Sequence, residues 1–319
     1  MKYTFLLIIL LGITLFSSCE KEDSGFRNFK IEGLTMDNYP IIDCSTSAEP
    51  LNNLIACKLL GYKGYWDRDI ISGLWYFNTD LPYEFIYERL KRSQTHNSII
   101  NLIDNKAELI LSARKMSDDE KEYAESAGVT LIETPVALDA FIFITNKNNP
   151  INSLTITQIQ DIYTAKIRSW KEVGGSDNNI NPYIRNANSG SQELMESMVM
   201  KDIEPSEWPI DYEHTITNPL HSMSLVFSTL RSDIYGLGYT VYYYKEKIMR
   251  DDMIKSLSIN GVYPDRNSIK AKSYPLVAEV YAVIRSDLDK SSMAYKIYEL
   301  LQTRDSRAVI EESGYTPYN

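Results

Sequence analysis

The feature that most constrains this chain is an alternation of short apolar runs with amphipathic stretches, sustained from Ile41 almost to the C-terminus. Residues 41–44 form a strand-length apolar run, and 50–60 follow with Leu51, Leu54, Ile55 and Leu59 on one helical face. The pattern then predicts helices over 82–90 and 97–103, a strand over 108–112, a helix over 118–127 and a strand over 129–133. Residues 140–145 read as a strand, being short and rich in Phe and Ile. Thr157 is the expected N-cap of a helix reaching Tyr163, followed by a strand over 180–185 and helices over 189–200 and 218–230. Strands over 238–242, 256–259 and 278–284 and helices over 290–302 and 306–311 complete the chain. Strands alternating with helices predict an α/β fold with parallel-dominated sheets and helices on both faces.

With 319 residues the chain can build about two domains. Its 43 acidic against 33 basic side chains give a formal charge of −10, which argues against a nucleic-acid partner, since such affinity comes from clustered Lys and Arg on phosphates. Net charge does not decide a buried anion site, which depends on local donors and dipoles. No internal repeat is visible.

Lys2, the apolar run 5–16, then Ser17, Ser18 and Cys19 have the order of a secretory signal, and the run is too short to span a bilayer comfortably. Small residues directly before Cys19 resemble the lipobox of bacterial lipoproteins, with Phe16 and Ser18 departing from its usual residues. The resemblance implies a signal peptide over 1–18, acylation of Cys19, a tether over 19–35, and an exported, membrane-anchored lipoprotein of the cell envelope. Cys44 and Cys57 are expected to stay free thiols, because Cys57 falls about two turns into a helix that begins soon after Cys44. The three His (His96, His214, His221) and these Cys lack short ligand spacing, so no metal site is expected.

Three loops share one chemical style. Residues 44–47, 93–96 and 188–191 each offer Ser or Thr and run into a predicted helix, presenting free N–H groups, hydroxyls and the positive end of a helix dipole. Arg114 and Arg185 stand near two of them and carry donor forks suited to tetrahedral oxyanions. A catalytic reading finds no Gly-x-Ser-x-Gly and no His-Glu-x-x-His, although Ser189 or Ser191 could pair with His214 or His221. The aromatics 75–77 and 242–244 leave open a glycan-binding or adhesion lipoprotein.

From Ile41 to Pro317 the chain resembles the phosphate-binding proteins of ABC transporters. The resemblance is most specific over 154–191, in Leu154-Thr155, Gln158-Ile159, Ile162-Tyr163-Thr164-Ala165-Lys166-Ile167, Trp170, Val173-Gly174-Gly175, Arg185 and Ser189-Gly190-Ser191. It implies a two-lobe periplasmic-binding-protein-like fold of mixed sheets flanked by helices, with a ligand cleft between the lobes. Lobe one would hold 36–137 and 275–319, and lobe two 138–274, joined by crossing strands near 136–142 and 275–280. The implied ligand set is Ser45, Thr46, Ser47, Thr95 or His96, Ser112, Arg114, Arg185, Ser189, Gly190 and Ser191, around phosphate or a similar oxyanion. The implied partners are an ABC transporter permease and, through the lipid anchor, the membrane; the chain would be a monomer without a cofactor. Where relatives often carry acidic residues this chain has Ala113 and Ala187, which weakens discrimination against sulfate or molybdate unless Asp43, Glu49 or Asp139 stands in as acceptor.

Overall fold

The computed structural model describes residues 28–71, 73–187, 189–201, 203 and 222–318. The expected signal peptide, Cys19, the first part of the tether, Asn188, His214, His221 and the start of the helix expected over 218–230 lie outside the described residues.

One long strand, Leu131–Asn146, organises the main sheet. Toward its N-terminal end it pairs antiparallel with Val277–Arg285, and the short strand Thr316–Pro317 joins it at Ala137 and Leu138. Toward its C-terminal end it pairs antiparallel with Gly236–Val241 and Ile254–Ser256. Beyond Val277–Arg285 come Leu109–Ser112, antiparallel, and then Ile42–Cys44, parallel. Beyond Gly236–Val241 comes Asn181–Pro182, parallel. Residues 136–146 are all buried, which explains a near-continuous apolar run where a half-exposed strand would alternate.

Four sequence expectations change here. The sheet is mixed, as the family resemblance implies, but its centre is antiparallel where the alternation of elements predicted parallel pairing, because the chain runs out along Leu131–Asn146 and returns along Val277–Arg285. The strands expected over 129–133 and 140–145 are one: a register shift between Val280 and Tyr281 lets the ladder continue past Pro135, which has no N–H to give. The strand expected over 180–185 shrinks to Asn181–Pro182, since the N–H of Arg185 turns to side chains instead of a neighbouring strand. The helix expected to start at Thr157 starts earlier, as Ile156–Tyr163, because Thr155 and Gln158 form a capping box: Thr155 Oγ1 accepts from Gln158 N–H at 3.1 Å and Gln158 Oε1 from Thr155 N–H at 2.8 Å.

A β-hairpin, Gly64–Arg68 with Trp75–Thr79, was not foreseen. Trp66 packs edge-on against Phe77 at 5.7 Å, and the Arg250 guanidinium covers Trp75 at 3.9 Å. Most of the buried side chains join one apolar cluster, while Ile99, Leu102, Ile103, Ile110 and Val283 form a second that seats the helix Thr95–Ile103 on the sheet.

Candidate functional site

The site begins where the strand Ile42–Cys44 ends. Ser45, in extended conformation, opens the 3-10 turn Thr46–Ala48, which leads directly into the helix Glu49–Leu60. The N–H of Ser45 is tied to Leu111 O at 2.9 Å, and its Oγ accepts both the N–H of Ala113 and the hydroxyl of Thr95, each at 2.9 Å. One buried serine thus joins three chain segments.

Thr95 is the first residue of the helix Thr95–Ile103. The residue before it, Gln94, has φ 70° and ψ 171°, a region essentially reserved for glycine. Sequence reasoning missed Gln94, since nothing in its residue type marks a positive φ. Gln94→Gly should release about 1–3 kcal/mol of backbone strain, less the entropy of a freer unfolded chain; a rise in melting temperature checks it, and a fall would show that the side chain earns its conformation through contacts.

The third loop caps the helix Gly190–Leu194, which continues as a wider π turn, Met195–Met200. Ser189 Oγ accepts the N–H of Gln192 at 3.2 Å. A Cβ placed on Gly190 would lie 2.7 Å from Thr95 Oγ1, so the second and third loops meet at a spot where only glycine fits. Arg185 is buried beside them; its N–H donates to Gln192 Oε1 at 3.1 Å and to Tyr239 Oη at 3.0 Å.

These segments enclose a cavity of about 40 Å³ lined by Ser45, Thr46, Ser47, Gln94, Thr95, Arg185, Ser189, Gly190 and Ser191, with Ala113, Leu194, Met223 and Val241 supplying apolar wall. It exceeds the roughly 10–15 Å³ that one water needs and is far below the 300–1,000 Å³ of drug-sized sites, so it suits a small ion. Three helix starts and one guanidinium face it, all favouring negative charge. Among the described residues lining it there is no carboxylate.

The structure places Ser112, Arg114 and His96 elsewhere. Ser112 Oγ is buried and donates to Arg114 O at 2.6 Å. Arg114 gives both terminal nitrogens to Glu120, at 2.7 and 2.8 Å, and lines a separate, wider cleft of about 730 Å³ with Lys115, Ser117, Glu193 and Glu279. His96 Nδ1 lies 2.8 Å from Glu120 Oε1, and because a carboxylate only accepts, this nitrogen carries the hydrogen. Burial alone would raise the Glu120 carboxyl, yet the Arg114 guanidinium and the Ser117 N–H hold it below the usual carboxylate range. Glu120 itself was not singled out from the sequence. Its signal was a capping box, Ser117 with Glu120, closely following an Arg.

None of the three suggested stand-in acceptors lines the cavity. Asp43 Oδ1 accepts from Cys44 N–H at 2.7 Å and Ser93 N–H at 2.9 Å, and its Oδ2 from Asn101 Nδ2 at 2.8 Å, so it fixes the second loop from below. Glu49 pairs with Arg92. Asp139 faces a different cavity, with Tyr243, Lys247 and Tyr315.

A family profile described as a PBP superfamily domain matches residues 82–296, about two thirds of the chain. The chain belongs to the PBP superfamily. It is similar to the phosphate-binding protein PstS of Borreliella burgdorferi, 25% identical over 330 aligned residues that cover 99% of this chain and 98% of the relative. The PstS proteins of Bacillus subtilis and Staphylococcus epidermidis are 24% and 26% identical; the alignments cover 62% and 64% of this chain and only 61% and 62% of those relatives. Among solved structures, a phosphate ABC transporter substrate-binding protein from Clostridium perfringens with bound phosphate superposes with a TM-score of 0.61 at 22% identity, covering 88% of this chain and 99% of that one. An ABC-type phosphate transport receptor from Vibrio cholerae gives 0.60 at 19% identity, covering 87% and 99%.

Of the aromatic runs over 75–77 and 242–244, Tyr76 is exposed and Trp75 and Tyr242 are half-buried. Phe77, Tyr243 and Tyr244 are buried, and Tyr243 stacks on Tyr315 with ring centroids 3.8 Å apart. Cys44 and Cys57 are both buried and free. Among the described residues no group of three His, Cys, Asp or Glu could hold a metal ion, and no helix is long and apolar enough to cross a membrane.

Proposed function

We propose that this chain is a solute-binding protein that captures inorganic phosphate for ABC-type uptake or phosphate sensing. The observation that carries the reading is the convergence of three hydroxyl-rich helix starts and Arg185 on one ion-sized cavity whose described lining holds no carboxylate. The relatives' names and the phosphate in the Clostridium structure support the choice of anion. In this reading Ser45, Thr46, Ser47, Thr95, Arg185, Ser189, Gly190 and Ser191 surround the ligand, and Ser112, Arg114 and His96 do not touch it. The chain binds and releases; it catalyses nothing.

Residues 36–137 with 275–319 form one lobe and 138–274 the other, hinged on the two crossing strands. The Gly190–Thr95 approach is then a contact made on closing. Closure dehydrates the anion, which strengthens each donor and makes each missing one costly. Differential affinity for the closed state drives the motion. Export, acylation of Cys19, a monomeric state and delivery to a membrane permease complete the proposal.

Calorimetric titration of the ligand-stripped protein with phosphate, sulfate and molybdate tests it. Phosphate binding is expected, and silence toward all three anions would sink the reading. Arg185→Ala should weaken phosphate at least about tenfold, on the roughly 1.5–3 kcal/mol scale of a charged hydrogen bond; unchanged affinity would remove Arg185 from the site. A second reading, a receptor for another oxyanion, is favoured by the missing carboxylate alone, and sulfate binding as tight as phosphate would establish it.

A further inference from the structure

Hydrogen phosphate differs from sulfate in one respect that a protein can read: it has a P–OH hydrogen to give. A site made only of donors cannot use that hydrogen, and among the described residues no carboxylate lines this cavity to accept it. Among the described lining residues the remaining side-chain acceptors are the Ser and Thr hydroxyl oxygens and the Gln94 amide.

The hydroxyls are not equivalent. Ser45 Oγ accepts from Ala113 N–H and from Thr95 O–H, so both its lone pairs are engaged and its own hydrogen is left to donate. Ser189 Oγ accepts from Gln192 N–H. Thr95 is the opposite case. The geometry of the Thr95–Ser45 contact makes Thr95 the donor, which commits its single hydroxyl hydrogen and leaves the oxygen with its lone pairs. A second observation puts that oxygen at the seam of the two loops beside the cavity: it lies 2.7 Å from the point where a Gly190 side chain would begin, and Thr95 and Gly190 both line the cavity.

We infer that Thr95 Oγ1 is the hydrogen-bond acceptor that reads the P–OH of hydrogen phosphate, so that a threonine oriented by Ser45 sets phosphate over sulfate. The inference rests on the phosphate reading of the site. Against a fully deprotonated oxyanion the same oxygen faces another acceptor, and to donate it must turn away from Ser45. Ser45 is the positioning residue, because the Ala113 N–H fixes which way its hydroxyl can point.

The test compares phosphate and sulfate affinities of the intact protein, Thr95→Val and Thr95→Ser by calorimetry at one mildly alkaline pH. Valine keeps the shape and removes the oxygen. The expected result is a fall in the phosphate-to-sulfate affinity ratio of about tenfold in Thr95→Val, the scale of one neutral hydrogen bond, with sulfate affinity unchanged or improved and the ratio restored in Thr95→Ser. If Thr95 is only a donor, both anions weaken together and the ratio holds, which overturns the inference while leaving phosphate binding intact. An unmodified protein that binds neither anion overturns the phosphate reading and this inference with it. Thermal melts of both variants confirm that the fold survives, so that a changed ratio reports the oxygen alone.

Discussion

Glu120→Ala is expected to lower the stability of the folded protein by about 3–5 kcal/mol, the cost of leaving one member of a buried ion pair without its partner. Glu120 is fully buried and accepts four hydrogen bonds: from Arg114 Nη1 and Nη2, from His96 Nδ1 and from Ser117 N–H. Its removal strands a buried guanidinium whose Nε already has no hydrogen-bond partner, leaving only Lys115 O at 2.7 Å. It also undoes the cap of the helix Asp118–Ser126. Urea unfolding measures the effect, with Glu120→Gln as the smaller perturbation. A loss under about 1 kcal/mol, the level of an exposed pair, would mean that Arg114 swings into the wide cleft and hydrates. Because this cluster does not line the proposed anion cavity, phosphate affinity should fall far less in these variants than in Arg185→Ala.

That separation between Arg114 and Arg185 shows what a sequence can carry. The three loops were legible because their chemistry is local, a hydroxyl, free N–H groups and a helix start within a few residues of one another, although only Ser189 makes a side-chain cap. Helices such as Glu49–Leu60 and strands such as Leu109–Ser112 were legible to within a residue or so from apolar periodicity. Whether an Arg serves a ligand or a carboxylate depends on which segment folds over it. Arg114 follows the same kind of strand end as the loops do, yet Glu120 folds back to claim both its terminal nitrogens. The strand Leu131–Asn146 reads as two from sequence because the pattern marks only 129–133 and 140–145, and the bulge between them, with Val136 as the extra residue opposite the Val280–Tyr281 step, exists only once the partner strand is in place. Gln94 was silent for a related reason: its strained backbone is imposed by the packing of the loop around Asp43 and Ser45.

Asp139 makes the last prediction, and its sign is opposite to that of most carboxylates. It lies on the long strand where pairing passes from Val277–Arg285 to Gly236–Val241, with its Oδ1 accepting the N–H groups of Ala140 and Tyr243 at 2.8 and 2.9 Å. Its Oδ2 is buried without a hydrogen-bond partner, in a cavity of about 70 Å³ beside Tyr242, Tyr243, Lys247, Arg266 and Tyr315. Burial outweighs the two backbone donors and pushes its pKa up to about 7. Between the unfolded value near 4 and this one, the folded chain holds a proton that the unfolded chain has released. Its contribution is therefore fully present below about pH 4 and is lost as pH rises through about 7, a total of roughly 4 kcal/mol at about 1.4 kcal/mol per unit. Asp139→Asn keeps the oxygen that holds Tyr243 and Ala140 and removes the charge. It should match the unmodified protein near pH 4, where the stabilisation is still present, and exceed its stability by several kcal/mol near pH 8, as read by urea unfolding at both values. Parallel stability–pH curves for the two proteins would show that Asp139 is ionised throughout, with the positive charges of Lys247 and Arg266 reaching it across the cavity, and the argument from burial would fall.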